Sequence, residues 1–331
     1  MKIRIKDIAD RAHVSTATVS LVLNNRPGVG DDMRQKILSI AKEMNYKGKI
    51  TTSKKSVSFI KITNNTNGSE SGYAAYLDDL IEGLSTEARS NGYTINMSYY
   101  QGLPKKFEEQ FPDSEGFFFI GNDLTQKDYS EIAKVTKPVV LVNSNVPSIA
   151  CDQIGIDNTA ALYTAITHLQ SKGHTHIGFI QNVFLTNSLV EREQAFIRAS
   201  KDLGFSYRQQ DIFSINPLDS LSMQGFENPA SYEGPSAFVC GNDVLALKVY
   251  QHLVTKGFRI SDDICLIGFE HLPESRFIHP PLTTIQFPYQ AMGKIGFTIL
   301  KERIEKNGSK PYVKYLMRGS LVDHQSAKKP I

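Results

Sequence analysis

Cysteine is scarce in this chain: Cys151, Cys240 and Cys265 are the only three in 331 residues, and none stands in a CxxC spacing. That leaves no disulfide framework and no thiolate zinc site to read. No run of eighteen apolar residues occurs, so no membrane span is expected. The opening stretch, MKIRIKDIADRAHVS, lacks the apolar core and cleavage site of a signal peptide, and a cytoplasmic location is the expectation. GxGxxG, GxxxxGK(S/T) and GxSxG are also missing, which removes the usual phosphate cradles and the nucleophile elbow. The eight histidines are scattered, and His174 and His176 read as a turn feature ahead of a strand. Neither a cofactor nor a metal is expected, and the chain does not read as an enzyme.

With 40% hydrophobic and 21% charged residues, the composition is that of a soluble globular protein of two or three domains. The net charge of +3 hides an asymmetry. Residues 1–61 carry 13 Lys/Arg against 5 Asp/Glu, whereas the remainder carries 24 against 29. A small basic unit ahead of a larger acidic one suits a polyanion, through phosphate neutralisation and counterion release.

Periodicity gives that unit its form. Ile5, Ile8, Ala9 and Ala12 recur at helical spacing, so 5–12 reads as a short helix. Ser15 is placed to cap a second helix over 16–23, with Val19, Val22 and Leu23 inward and Thr16, Ala17, Ser20 and Leu21 outward. A third runs from Asp31 or Asp32 to Met44, with Ile37, Leu38, Ala41 and Met44 inward and acidic residues at its positive end. Three such helices make a helix-turn-helix unit. Short side chains on the outward face of the second suit a helix that touches base edges, with hydroxyls for phosphates and apolar groups for thymine methyls.

The stretch IKDIADRAHVSTATVSLVLNNRPGVGDDMRQKILSIAKEMNY resembles the DNA-binding headpiece of the lactose-repressor (LacI/GalR) family of bacterial transcriptional regulators. Lys6-Asp7-Ile8-Ala9, Val14-Ser15, Thr18-Val19-Ser20, Val22-Leu23-Asn24, Arg34 and Tyr46 carry the match. The resemblance implies that Thr16, Ala17 and Leu21 read bases, while Thr18, Ser20, Asn24 and Arg34 lie near phosphates. Two positions depart from the pattern: His13 stands where glycine is usual, and Leu21 where arginine is common. Histidine tolerates the left-handed backbone at modest cost. Losing the arginine removes a bidentate guanine contact and should alter target preference.

After the closing tyrosine the family continues with a proline-asparagine pair and a hinge helix whose leucine wedges into the minor groove. KGKITTSKKS, residues 47–56, has neither proline nor leucine, and Gly48, Thr51 and Thr52 disfavour a helix. An extended basic linker is expected instead, with Lys47, Lys49, Lys54 and Lys55 following phosphates and Ile50 as the only large apolar residue.

From Val57 short strands alternate with helices: strands at 57–62, 93–100, 115–121, 137–143, 175–181, 236–243 and 263–270, with helices over 76–92, 158–173, 191–204 and 244–257. That alternation describes parallel sheets covered on both faces, with ligands in a crevice where strands end. The fold expected is an all-α helix-turn-helix headpiece (1–46), a linker (47–56) and an α/β core of two Rossmann-like subdomains (57–331). The resemblance extends over nearly the whole chain and likens the core to periplasmic sugar-binding proteins. It implies a first subdomain of about 57–154 and 288–315 and a second of about 155–287 and 316–331. It further implies a homodimer on a palindromic DNA operator and a small-molecule effector, a sugar or sugar phosphate, between the subdomains.

Matching positions make Arg192, the Asn242-Asp243 pair, Glu270 (where aspartate is usual) and Asn143 effector candidates. Tyr73, Tyr76 and Asn122 join them by location. Tyr76 reads equally as a packing residue, and Asp157 equally as a helix cap. The function expected is a DNA-binding transcriptional regulator, with repression the commoner role in the family. The alternatives are a nucleobase-responsive regulator and a small-molecule sensor whose headpiece serves a protein partner.

Overall fold

The computed structural model describes all residues except 1–2, 25, 27, 49–54, 65–72, 122–123, 144–145, 147, 184–185, 206–207, 217–225, 227, 307–309 and 329–331, and the side chains at 31 and 73–75 also lie outside the description. The chain divides into two compact units, Met1–Lys55 and Ser56–Ile331.

The first unit holds α1 (Ile5–Ala12), α2 (Thr16–Leu23) and α3 (Asp31–Glu43). Ile8, Ala9, Ala12, Val19, Val22, Leu23, Ile37, Ile40 and Ala41 form its core, with Leu38 and Met44 packed at the edge. His13 ends α1 in the left-handed region (φ 60°), and its N–H reaches the Ala9 carbonyl. The turn therefore keeps its shape without glycine. The Ser15 hydroxyl accepts the Thr18 N–H at 3.0 Å and starts α2.

In the second unit the strands form two six-stranded sheets. They are β1 (Lys55–Ile62), β2 (Tyr93–Tyr100), β3 (Ser114–Ile120), β4 (Val139–Val142), β5 (Asp152–Ile156), β6 (Ile177–Asn182), β7 (Ile212–Ile215), β8 (Ala237–Cys240), β9 (Cys265–Phe269), β10 (Thr283–Gln286), β11 (Lys314–Met317) and β12 (Ser320–Val322). The first sheet runs β11-β5-β4-β3-β1-β2 and the second β12-β10-β9-β8-β6-β7. Pairings β3–β4, β4–β5, β5–β11, β6–β8, β8–β9 and β9–β10 are parallel, and β12 lies antiparallel to β10. The helices are α4 (Tyr73–Ser90), α5 (Gln126–Ile132), α6 (Asn158–Ser171), α7 (Asn187–Asp202), α8 (Asp243–Thr255) and α9 (Tyr289–Glu305).

The chain passes between the sheets after β5, after β10 and between β11 and β12. Two expected boundaries shift accordingly: residue 154 falls inside β5, and residues 315 and 316 both lie in β11 of the first sheet. Lys55 and Ser56 are a further correction, because they open β1 rather than ending the linker.

Helix α9 returns to the first sheet and lies against α4. Their backbones meet so closely that a Cβ at Gly83 would strike the Gln290 carbonyl, and one at Gly293 the Leu80 carbonyl. At the far end of α9, Arg303 grips Asp152 of β5 with Nε at 2.8 Å and Nη2 at 2.7 Å. Its remaining donors reach the carbonyls of Lys310 (2.6 Å) and Pro311 (3.1 Å), while the Val313 N–H bonds to Asp152 at 3.0 Å. This buried fork joins β5, α9 and the approach to β11, which are the segments that connect the sheets.

Candidate functional site

The DNA-reading candidates cluster on α2. Thr16 and Ala17 are exposed and Leu21 is half-buried. Their polar neighbours have local tasks. The Thr18 hydroxyl lies 2.8 Å from that of Ser15, and the Asn24 amide donates to the Ser20 carbonyl (2.9 Å) and hydroxyl (3.3 Å). Arg34 donates from Nη2 to the Arg26 carbonyl at 2.6 Å, tying α3 to the loop after α2. These bonds stiffen the frame around the three outward side chains. Lys47 is exposed. Lys49 and Lys54 lie outside the described residues, as does Ile50.

In the core, the strand ends gather a second cluster around Arg192 of α7, which is 3% exposed. A capping bond from the Leu189 N–H to Thr186 (3.3 Å) starts α7 four residues before the sequence reading placed it. Nε of Arg192 donates to Asn158 at 2.9 Å, and Nη1 donates to the Gly241 carbonyl. The Glu270 carboxylate lies 3.5 Å from Nη1, and the guanidinium sits 4.9 Å over the Phe269 ring. Nη2 makes no hydrogen bond among the described residues. Burial pushes the Glu270 carboxyl up to about 7 against the pull of Arg192. Near neutrality it can therefore either donate or accept.

Glu270 and His271 both hold positive φ, 100° and 58°, which is costly without glycine. Asp243 accounts for how the turn persists. It is fully buried and accepts from the Leu272 N–H (2.8 Å) and the Thr284 hydroxyl (2.7 Å). Thr284 in turn takes the His271 N–H at 3.4 Å. Asp243 was expected to touch the effector, and this is corrected: both of its oxygens are occupied by the protein. Burial, opposed by these bonds, raises its carboxyl to about 8. Its partner Asn242 caps α8 through the Leu245 N–H (2.9 Å) and is half-buried.

Tyr76 is 4% exposed and stacks on Tyr289 with centroids 4.7 Å apart. Rings continue through Phe287 (6.0 Å from Tyr289) to Phe269 (6.1 Å from Phe287), so an aromatic chain leads from α4 to the face beneath Arg192. Asn143, at the end of β4 with φ 52°, is nearly buried, and its side chain has no hydrogen-bond partner among the described residues. It borders a cavity of about 390 Å³ with Asn158, Ser188, Glu191 and Lys314. Asn158 also accepts from Arg192, so this cavity and the Arg192 cluster share a wall. Asp157 caps α6 through the Ala160 N–H at 2.8 Å. The Tyr73 side chain and Asn122 are outside the described residues. His174 bonds to Ser236 (2.8 Å) and the Lys328 carbonyl (3.0 Å), and His176 to Asp211 (2.9 Å). Both brace the second sheet. Asn158 and Tyr289 were missed from sequence, since an asparagine after a strand and a tyrosine after a proline carry no distinctive signal.

A helix-turn-helix unit in one chain with a two-sheet core, polar groups converging where strands end, defines a DNA-binding regulator that answers to a small molecule. Residues 4–48 match the model of bacterial regulatory proteins of the lacI family, and residues 166–327 match that of a periplasmic binding protein-like domain. Residues 4–48 thus carry a lacI-family headpiece, ahead of a periplasmic binding protein-like core. Among its relatives, the HTH-type transcriptional repressor PurR of Vibrio vulnificus (strain CMCP6) is 28% identical over 337 residues, covering 98% of each chain. The protein of that name from Vibrio cholerae serotype O1 (strain M66-2) is 26% identical over 336 residues, again covering 98% of each. The fold is shared with the lac repressor dimer bound to operator and the anti-inducer ONPF (TM-score 0.68, 19% identity, 99% of this chain and 100% of that one). It is shared also with the CelR–cellobiose complex (TM-score 0.67, 17% identity, 98% and 100%). No described helix is long and apolar enough to cross a membrane.

Proposed function

We propose that this protein is a transcriptional repressor that binds a palindromic operator as a homodimer, with Thr16, Ala17 and Leu21 reading bases. The observation that carries the reading is the α2 face itself: three small or apolar side chains directed outward, within a frame of capping bonds that consume the neighbouring polar groups. Pairing of two headpieces suits the physics, because one small headpiece covers too few bases for useful affinity. The relatives' name as repressors and the dimer in the lac repressor structure support it.

The effector best suited to the core is a neutral, polar, flat molecule of the nucleobase type rather than the sugar or sugar phosphate expected from sequence. Arg192 is the cation whose charge acts on Glu270, Asp243 and Tyr289 alike, and it already faces Glu270. Among the described residues Arg192 is the guanidinium that faces this cluster, so a phosphate dianion would bring two buried charges to one cation. A nucleobase offers an acceptor to Arg192 and a donor to Glu270 on one planar edge, and its apolar face suits an aromatic surrounding.

Selection of the full-length protein on randomised duplexes, followed by footprinting, tests the DNA reading. A symmetric motif is expected, and enrichment without symmetry refutes the operator reading. A thermal-shift panel of nucleobases, sugars and sugar phosphates tests the effector class. A response to glucose 6-phosphate alone rejects the neutral ligand.

A further inference from the structure

The first residue of α9, Tyr289, is 3% exposed, and its hydroxyl has no hydrogen-bond partner among the described residues. Buried phenols normally find one. The ring itself is well used, stacked on Tyr76 at 4.7 Å and tilted against Phe287 at 6.0 Å. Only the oxygen is idle. Burial, helped by Glu270 and Asp243 and opposed by Arg192, holds the phenol well above its ordinary pKa, so it stays a donor. At the other end of the aromatic chain, the Arg192 guanidinium lies over Phe269 and its Nη2 makes no bond among the described residues. Two idle donors and one carboxyl that can donate or accept thus border the same aromatic row.

We propose that Tyr289 determines effector specificity, its hydroxyl donating to an acceptor atom of the ligand that Arg192 and Glu270 hold through other atoms. This rests on the reading above, that a small neutral ligand binds at Arg192 and Glu270. The placement also joins recognition to movement. Arg192 and Glu270 belong to α7 and the end of β9, in the half built on the second sheet. Tyr289 opens α9, which follows the crossing after β10 and is locked to α4 by the Gly83 and Gly293 contacts. A ligand bonded to all three holds both halves at once. Its affinity then differs between arrangements of the halves, which is the condition for shifting their population.

The test compares the full-length wild type with Tyr289→Phe, which keeps the ring stacks and removes only the oxygen. The probes are adenine, guanine, cytosine, uracil and glucose, read by calorimetric affinity and melting temperature. Without ligand, the variant should melt at the wild-type temperature or above it, because an unpaired buried hydroxyl has been removed. Affinity for the best wild-type probe should fall roughly tenfold to hundredfold. Unchanged affinity overturns the proposal while leaving the effector reading standing, and so does a clear fall in the ligand-free melting temperature, which would assign the hydroxyl to the fold. If glucose is the probe that binds, the same comparison with glucose decides the role of Tyr289. If the wild type binds none of the five, the effector reading falls and the proposal with it.

Discussion

Each half of the core buries an arginine against a carboxylate, and the two pairs are built differently. Arg303 and Asp152 meet as a fork at 2.7 and 2.8 Å, with carbonyls taking the remaining donors. Arg192 and Glu270 stand 3.5 Å apart, Arg192 spends its strongest bonds on Asn158 and Gly241, and the Tyr289 hydroxyl has no partner among the described residues. A fully satisfied pair fixes a joint. An incompletely satisfied one leaves bonding capacity for something that arrives later. By that standard the first pair is structural and the second is the effector site proposed above, although in the sequence both are single arginines within helices.

The largest effect should come from breaking the satisfied pair. Arg303→Met leaves Asp152 buried without its cation, at a cost of about 3–5 kcal/mol in urea unfolding. A loss below about 1 kcal/mol would mean that the fork does not hold the crossing segments together.

Next is a pH effect confined to the unsatisfied pair. Glu270 is raised to about 7 by burial, so its folded form binds a proton that the unfolded chain has released. The stability it contributes is complete below the unfolded carboxylate value and is lost as pH rises through about 7. Arg192, Asp243 and Tyr289 surround it, and Asp243, raised to about 8, adds a loss of the same sign. Wild type measured against Glu270→Gln should therefore lose up to about 3 kcal/mol between pH 5 and 8. A flat difference would place Glu270 in solvent.

A smaller effect is expected at the α4–α9 contact. Gly293→Ala places a methyl against the Leu80 carbonyl and should cost about 1–3 kcal/mol. Thermal melting that is unchanged or raised would show that the helices separate without penalty.

The smallest effect on the fold, and the most selective one, belongs to the headpiece. Leu21→Arg should leave melting unaltered and restore a guanine contact, changing preference at one base pair of each half-site by about 1–3 kcal/mol. Selection returning the wild-type motif would remove Leu21 from the reading face.

Much of this arrangement is legible in the residues. Helices 5–12 and 16–23 follow from apolar spacing and the Ser15 cap, because a core this small leaves few ways to bury nine side chains. Buried parallel strands such as 139–142 show as continuous apolar runs. The short strands β11 and β12 do not, since their residues are exposed or half-buried and lack that pattern. Asp243 was misread for a physical reason: an Asn-Asp pair after a strand looks the same whether it caps a helix and braces a strained turn or binds a ligand. Only partners distant in sequence, Leu272 and Thr284, separate the two cases. The same holds for Tyr289, whose hydroxyl finds no partner among the described residues.

The most direct test of the whole account is the affinity of the full-length protein for its selected duplex, measured with and without the nucleobase that raises its melting temperature. The account predicts a change of at least tenfold in affinity, lost in Arg192→Lys, whose single ammonium cannot reproduce the guanidinium's several directed bonds. Equal affinity with and without the base, at concentrations that saturate the core, would contradict it.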